Sequence, residues 1–187
     1  ARSDVIELLS NRTELASDGF RGPLILIWTG HGHVVAEELS LIVRDTPTGP
    51  GLEDSAYEPK SLLAYALDAG SLDTLLIIDT CFSGAADGDL IESQLSRLEN
   101  GTWAGSDPKL SVIVSCKGYE KALDGAFLGA LLTLLRNGPD LSVPGQFDLC
   151  WSEQQPTVPL LAVLDRLAWL PEGKQRPRSV ALPGTRI

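Results

Sequence analysis

The chain has 187 residues, 43% hydrophobic and 21% charged, so it is long enough for one globular domain with a substantial core. Its formal net charge of −10 argues against a nucleic-acid partner, because binding to phosphates relies on clusters of Lys and Arg. No apolar run approaches the roughly 18 residues of a membrane span, and no secretory signal is visible. The three cysteines form no metal-binding spacing, which favours a reducing, cytoplasmic location over a disulfide framework.

The first half of the chain predicts helices and strands in alternation. Residues 4–16 have the apolar spacing of a helix, and residues 24–28 (LILIW) form an apolar run that predicts a strand buried on both faces. A shorter strand is predicted at 39–43, followed by a loop rich in proline and glycine at 44–59. Residues 60–67 are expected to form a helix with its leucines on one face.

The second half continues this alternation. A second strongly apolar strand at 74–79 ends at Cys-Phe-Ser-Gly, and the polar, glycine-rich segment 85–109 is expected to be an exposed, flexible linker. The remaining predicted elements are a third buried strand, two helices and a last strand, at 110–115, 125–136, 157–170 and 178–182. The sequence therefore predicts a single α/β domain over residues 1–187, with a mostly parallel central sheet and helices on both faces.

Two sequences that suggest chemistry follow buried strands, TGHGH after the first and DTCFSG after the second. Ligands of open α/β sheets bind beyond the carboxyl ends of the strands, so His31 and Cys81 are expected to lie together if their strands are neighbours. A cysteine nucleophile needs a nearby proton acceptor. We therefore predict His31 and Cys81 as a catalytic dyad, with the N–H groups of Gly32 and Cys81 as oxyanion donors. His33 is expected to face the other way on an extended segment and to be structural.

The pair TGHG and DTCFSG resembles the caspase-like cysteine peptidases, in particular the bacterial and metacaspase-type branch, whose strands end in SGHG and D-x-C-x-S-G. The histidine and the cysteine are 50 residues apart (81 − 31) in this sequence, and caspases place theirs about 50 residues apart. Residues 114–132 resemble the next strand, the substrate-binding loop and the following helix of the family. The animal caspase pentapeptide Q-A-C-x-G is absent. The resemblance implies a caspase-like three-layer sandwich and a cysteine endopeptidase.

The resemblance also implies a substrate pocket and a biological role. Asp79 and Thr29 match positions that line the pocket for the side chain before the scissile bond in metacaspase-like enzymes. Ser115 and Glu120 correspond to substrate-binding positions in the next strand end and loop. A fixed carboxylate in a pocket favours a cationic side chain, so cleavage is expected after Arg or Lys. The family's activities suggest limited proteolysis in a stress, defence or cell-death programme.

The family's domain opens with strands that this sequence does not show, so LILIW is expected to have an open edge. We therefore expect an N-terminal segment or a second polypeptide to complete the sheet. Self-cleavage in the linker is expected after Arg97 or Lys109, its only basic residues. No cofactor is expected; calcium activation is compatible with the resemblance, but the sequence does not indicate it.

Other functions fit the two motifs less well. A tyrosine phosphatase needs Arg six residues after its cysteine, where this chain has Asp87, and a dinucleotide site needs a third glycine that TGHGHV lacks. A metal site built from His31, His33, Cys81 and Asp79 is conceivable, but H-x-H on a loop is a weak signal. The strongest alternative is a caspase-like scaffold or interaction domain with weak or no activity. Retention of both the histidine and the cysteine argues against it.

Overall fold

The computed structural model describes most of the sheet and its flanking helices. The described residues are 23–35, 38–47, 49, 56–68, 73–83, 109–116, 121–123, 125–138, 163, 167 and 177–181. Their strands are β1 (Leu24–Thr29), β2 (His31–Val35), β3 (Glu38–Ile42), β4 (Asp73–Asp79), β5 (Lys109–Val114) and β6 (Arg178–Ala181). Their helices are α1 (Pro59–Asp68) and α2 (Ala126–Asn137).

The main sheet has the order β1-β4-β5-β6. The first three strands are parallel, and β6 pairs with β5 in the antiparallel direction. Strands β4 and β5 are nearly continuous apolar sequences, as expected for parallel strands covered on both faces. The predicted α/β class with a mostly parallel sheet is confirmed for this part of the chain.

Helices pack on both faces of this sheet. One face buries alternate residues of β4 and β5 (Leu76, Ile78, Val112 and Val114) against Leu62 and Leu63 of α1. The opposite face buries the intervening residues (Leu75, Ile77 and Ile113) against Phe127, Leu131 and Leu134 of α2, with Val163 and Leu167 beside them. Val163 and Leu167 are helical, in agreement with the predicted helix 157–170, whose other residues lie outside the described part.

Strand β1 differs from the prediction. It was expected to be buried on both faces, but it lies at an edge of the described sheet and its burial alternates along the strand. Leu26 and Trp28 pack against the α1 face, whereas Ile25 and Ile27 are 57% and 56% exposed. The prediction was wrong because a continuous apolar run does not reveal whether both faces of a strand are covered.

The structure also contains a second, two-stranded sheet that the sequence did not predict. Strands β2 and β3 form an antiparallel hairpin, and Leu39 and Leu41 of β3 are buried in the same core as α1. Leu41 is held on its other side by Tyr57, through two backbone hydrogen bonds of 2.7 and 2.9 Å. The segment after β1 therefore forms a hairpin whose second strand, β3, packs on the α1 face of the main sheet.

Several predictions lie wholly or largely outside the described residues, among them the helix at 4–16 and residues 85–108 of the linker. Observed element ends otherwise differ from the predicted ones by at most one residue, which is within the usual uncertainty of helix and strand ends. Within the described part of the chain, no helix is long and apolar enough to cross a membrane.

Candidate active site

The turn that carries His31 (the histidine turn, residues 30–32) and the turn that carries Cys81 (the cysteine turn, residues 80–83) follow two adjacent parallel strands. The two strands end at the same register position. Every residue of β1 pairs with the β4 residue 50 positions later, from Leu24 with Thr74 to Thr29 with Asp79. His31 and Cys81 each come two residues after the last pair. The 50-residue spacing seen in the sequence is thus the register offset of two neighbouring strands, which puts both turns at one sheet edge.

Backbone contacts hold the two turns together. The Gly30 N–H donates to the Asp79 carbonyl oxygen at 3.2 Å, one step beyond the strand pairing. Gly30 has a φ of +154°, which side-chain-bearing residues rarely adopt, and this lets the chain leave β1 sharply. A Cβ added to Gly32 would lie 2.5 Å from both the Cys81 carbonyl oxygen and Thr80 Oγ1. The histidine turn therefore approaches the cysteine turn as closely as glycine permits.

The hairpin pairing also fixes the direction of the Gly32 N–H. In an antiparallel pair, the N–H and C=O of one residue point to the same side of the strand. Leu41, the partner of Gly32 in β3, uses both groups to bond Tyr57 on its far side. The Gly32–Leu41 pair is therefore a non-hydrogen-bonded pair, and the Gly32 N–H points away from β3. This direction is compatible with the predicted role of Gly32 as an oxyanion donor.

Cys81 lies in a turn that is strained at the next residue. Its side chain is half-buried, and the Sγ–H donates weakly to the Ala122 carbonyl oxygen at 3.9 Å. Phe82 has a φ of 61°, a left-handed conformation that is unfavourable for a bulky residue. Such strain persists only when the surrounding structure enforces it, and it is concentrated at functional sites.

A buried polar cluster underlies this turn. Ser83 Oγ accepts a hydrogen bond from the Cys116 N–H at 3.1 Å and lies 3.3 Å from Ser115 Oγ. Ser115 Oγ and Cys116 Sγ each donate to the Thr80 carbonyl oxygen at 3.4 Å. All four residues are almost completely excluded from solvent. The residues that follow β5 thereby hold the cysteine turn on its buried side.

The two predicted specificity residues are neighbours on one face. Thr29 and Asp79 are register partners and, by strand alternation, project from the α2 face. Thr29 is exposed, whereas Asp79 is only 5% exposed. A carboxylate with a hydroxyl beside it suits a cationic side chain with hydrogen-bond donors.

Some predicted site residues occupy other surroundings than the sequence suggested. His33 was expected to face away from His31, but both are exposed on the same side of β2, because alternate strand residues share a face. Ser115 is fully buried in the polar cluster rather than at the surface. Lys109 is the first residue of β5, while Glu120 and Arg97 lie outside the described residues.

The metal alternative receives no support from the geometry. In the ranges that the structure describes, no three His, Cys, Asp or Glu side chains are grouped so that they could hold a metal ion. His31, His33, Cys81 and Asp79 all belong to those ranges.

Sequence reasoning missed Ser83 and the role of Ser115 and Cys116. A serine has no pattern that distinguishes a buried anchor from a surface residue. The available signal was positional, because Ser115 and Cys116 follow β5 as Thr80 and Cys81 follow β4. Residues just past the ends of adjacent parallel strands meet at one sheet edge.

Comparisons with known proteins add little to this picture. No family model matches the chain, and no curated protein is significantly similar to it. Among solved structures, the crystal structure of protein GSU0716 from Geobacter sulfurreducens matches with a TM-score of 0.48 and 14% sequence identity. The match covers 94% of this chain and 72% of the other. A likeness at this level carries no argument about fold family or function.

Proposed function

We propose that the chain is a caspase-like cysteine endopeptidase that uses His31 and Cys81 as its dyad. The observation that carries the proposal is the register of β1 on β4, with the close approach of Gly32 to the Cys81 carbonyl. It brings a histidine turn and a cysteine turn to one sheet edge, where ligands of α/β proteins bind. The left-handed Phe82 beside the cysteine and the Gly32 N–H, which points away from β3, support the same site.

In the proposed reaction, His31 takes the proton of the Cys81 thiol, and the thiolate attacks the scissile carbonyl carbon. The N–H groups of Gly32 and Cys81 bind the oxyanion that forms. His31 then gives the proton to the leaving amine as the C–N bond breaks, leaving a thioester on Cys81. Water, deprotonated by His31, hydrolyses the thioester and restores the thiol.

We propose that the substrate has Arg or Lys before the scissile bond. Support comes from the buried Asp79 carboxylate and from the exposed Thr29 beside it on the same face. A carboxylate at this position attracts a cationic substrate side chain and repels an anionic one, so Arg or Lys is favoured over Asp.

The domain proposed for this activity is a caspase-like three-layer sandwich that works in the cytoplasm in limited, regulated proteolysis. We propose that a further strand, from an N-terminal segment or a second polypeptide, completes the sheet beside β1. The edge position of β1 in the described sheet supports a strand beside it, and the exposed Ile25 and Ile27 support a partner that also covers the α2 face at this edge. Sedimentation with activity assays tests it: a folded, active monomer of this 187-residue chain alone would contradict it.

An electrophilic peptide probe tests the function. The chain is incubated with peptidyl acyloxymethyl ketones ending in Arg or in Asp, and adducts are located by mass spectrometry. We expect the Arg probe to label Cys81 and the label to disappear in Cys81→Ala. An intact, unreactive Cys81 would instead favour the scaffold alternative, and preferential labelling by the Asp probe would contradict the proposed specificity.

A further inference from the structure

Ser83 connects the cysteine turn to the end of β5. The residue is fully buried two positions after Cys81. Its hydroxyl accepts from the Cys116 N–H at 3.1 Å and lies within 3.4 Å of the Cys116 carbonyl oxygen and 3.3 Å of Ser115 Oγ. A hydroxyl has one proton and two lone pairs, so these contacts use much of its bonding capacity. Ser83 is thus one point at which the turn is attached to the end of its neighbour strand.

The same cluster orients the peptide group that precedes Cys81. The Thr80 carbonyl oxygen accepts from Ser115 Oγ and Cys116 Sγ, both at 3.4 Å and both on the buried side. The peptide between Thr80 and Cys81 is trans, so its C=O and N–H point in opposite directions. Anchoring the oxygen at the end of β5 therefore directs the Cys81 N–H away from β5, to the side on which β1 and the histidine turn lie. That N–H is one of the two predicted oxyanion donors.

The strain at Phe82 lies between the two attachments. Thr80 is held through its carbonyl oxygen and Ser83 through its hydroxyl, and Phe82 adopts its left-handed φ of 61° in between. The Phe82 side chain also packs against the core on the α1 face, so this packing and the Ser83 attachment together oppose relaxation of the unfavourable conformation. Relaxation at Phe82 would rotate the adjacent Cys81 peptide.

We propose that Ser83 is a positioning residue for the oxyanion site, acting with Ser115 to keep the Cys81 N–H directed at the reacting carbonyl. The inference rests on the proposed peptidase function. It assigns Ser115, which the sequence suggested as a substrate contact, to the support of the turn. The role differs from that of the dyad, because it concerns the stabilisation of the oxyanion and not the supply of the thiolate.

Two reactions of Cys81 separate these roles. Hydrolysis of a peptide amide passes through an oxyanion, whereas alkylation by iodoacetamide displaces iodide at a saturated carbon and forms no oxyanion. The full chain is compared with Ser83→Ala and Ser115→Ala, and kcat, KM and the alkylation rate are measured. Ser111→Ala is the matched control, because Ser111 is buried on β5 and its Oγ has no hydrogen-bond partner in the part of the chain that the structure describes.

We expect Ser83→Ala to lower kcat by about 10- to 100-fold, somewhat less than the loss of a complete oxyanion donor. KM and the alkylation rate should change less than about threefold, and Ser115→Ala should show the same pattern more weakly. Ser111→Ala should leave all three values unchanged. Thermal unfolding identifies variants that are folded; if Ser83→Ala is not, Ser115→Ala decides.

An unchanged kcat in a folded Ser83→Ala variant would overturn the inference. Equal losses in kcat and in alkylation would also overturn it, because they would mean that the thiol itself had moved. Failure of the proposed function has a different signature. It appears in the unmodified chain, as the absence of both peptide hydrolysis and labelling at Cys81.

Discussion

The two turns of the candidate site are held in opposite ways. In the cysteine turn, Thr80 and Ser83 are buried, and side-chain hydrogen bonds attach the turn to the end of β5. In the histidine turn, His31 is exposed, and the described attachments are made by backbone, through the Gly30 N–H and the close approach of Gly32.

This difference indicates a division of tasks. The cysteine turn is fixed by directional bonds and should be sensitive to the loss of a single hydroxyl. The histidine turn is fixed by strand register and by close contact at Gly32, where there is no space for a side chain. Its position should therefore be disturbed by added atoms instead. In the proposed reaction, the buried cluster would hold Cys81 in place, while the exposed His31 would remain accessible to substrate and water.

The largest expected effect is on catalysis by the dyad. Cys81→Ala should abolish peptide hydrolysis, and His31→Ala should lower kcat/KM by about 100- to 10,000-fold through loss of proton transfer. His33→Ala is the matched control, because His33 is exposed on the same side of β2 two residues later. Rates on an Arg-containing peptide amide measure both. If His33→Ala lost as much as His31→Ala, the assignment of the base would be contradicted.

The second expected effect concerns Asp79. Asp79→Ala should lower kcat/KM for substrates with Arg or Lys before the scissile bond by a factor on the order of 100, because a desolvated charge pair is lost. Asp73→Ala, at the exposed start of the same strand, is the control and should have little effect. A peptide library profiles both variants. Efficient cleavage after Asp, or an unchanged profile in Asp79→Ala, would remove the specificity hypothesis.

The third expected effect tests the volume constraint on the histidine turn. Gly32→Ala would bring a methyl group within 2.5 Å of the Cys81 carbonyl oxygen, so it should lower the free energy of unfolding by about 1–3 kcal/mol. Gly129→Ala is the matched control, since Gly129 lies within α2 with open space around its Cα. It should raise the free energy of unfolding by about 0.5–1 kcal/mol, as alanine favours helix.

Urea denaturation of both glycine variants measures this contrast. Gly32→Ala should also lose peptidase activity while it remains folded, because the two turns must separate to admit the methyl group. Equal stability of the unmodified chain and Gly32→Ala would show that the turns are farther apart than the structure has them.

The sequence predicted those parts of the site that directly follow long apolar segments. The apolar runs before TGHGH and DTCFSG located β1 and β4, and their parallel pairing brought His31 and Cys81 to one edge as expected. The 50-residue spacing was informative because β1 and β4 pair with an offset of 50 residues, so residues that far apart in the sequence lie side by side in the sheet.

The parts that it did not predict depend on tertiary context. Strand β2 was missed because Gly-His-Gly-His-Val-Val lacks an apolar run and glycine is unfavourable in strands. The exposure of Ile25 depends on what covers the α2 face above β1, which local sequence does not encode. The Ser83 anchor was missed because its partners are 32 and 33 residues away in the chain.

The smallest expected effect concerns the far end of the histidine hairpin. Lys60 Nζ of α1 lies 3.2 Å from Glu38 Oε2 of β3 and 3.4 Å from Glu58 Oε2. The hydrogen bond to Glu38, the largest influence, raises the pKa of Lys60 above its ordinary value of 10.5, with Glu58 contributing and desolvation opposing. Because the side chains are 39–49% exposed, Lys60→Gln should cost less than about 1 kcal/mol of stability.

The sign of the pH dependence follows from the raised pKa of Lys60. A folded-state pKa above the unfolded one stabilises the fold fully below pH 10.5, and the contribution is lost as the pH rises through the folded-state value. Urea denaturation of Lys60→Gln and the unmodified chain should therefore differ at pH 7 and converge in strongly alkaline buffer. The difference should also shrink in 0.5 M salt, since exposed charges are screened over about a Debye length. Lys121→Gln, which removes an exposed lysine outside the hairpin contact, is the control and should leave the free energy of unfolding at pH 7 nearly unchanged. A pH-independent loss in Lys60→Gln would mean that the lysine supports the hairpin by packing of its aliphatic chain instead of its charge.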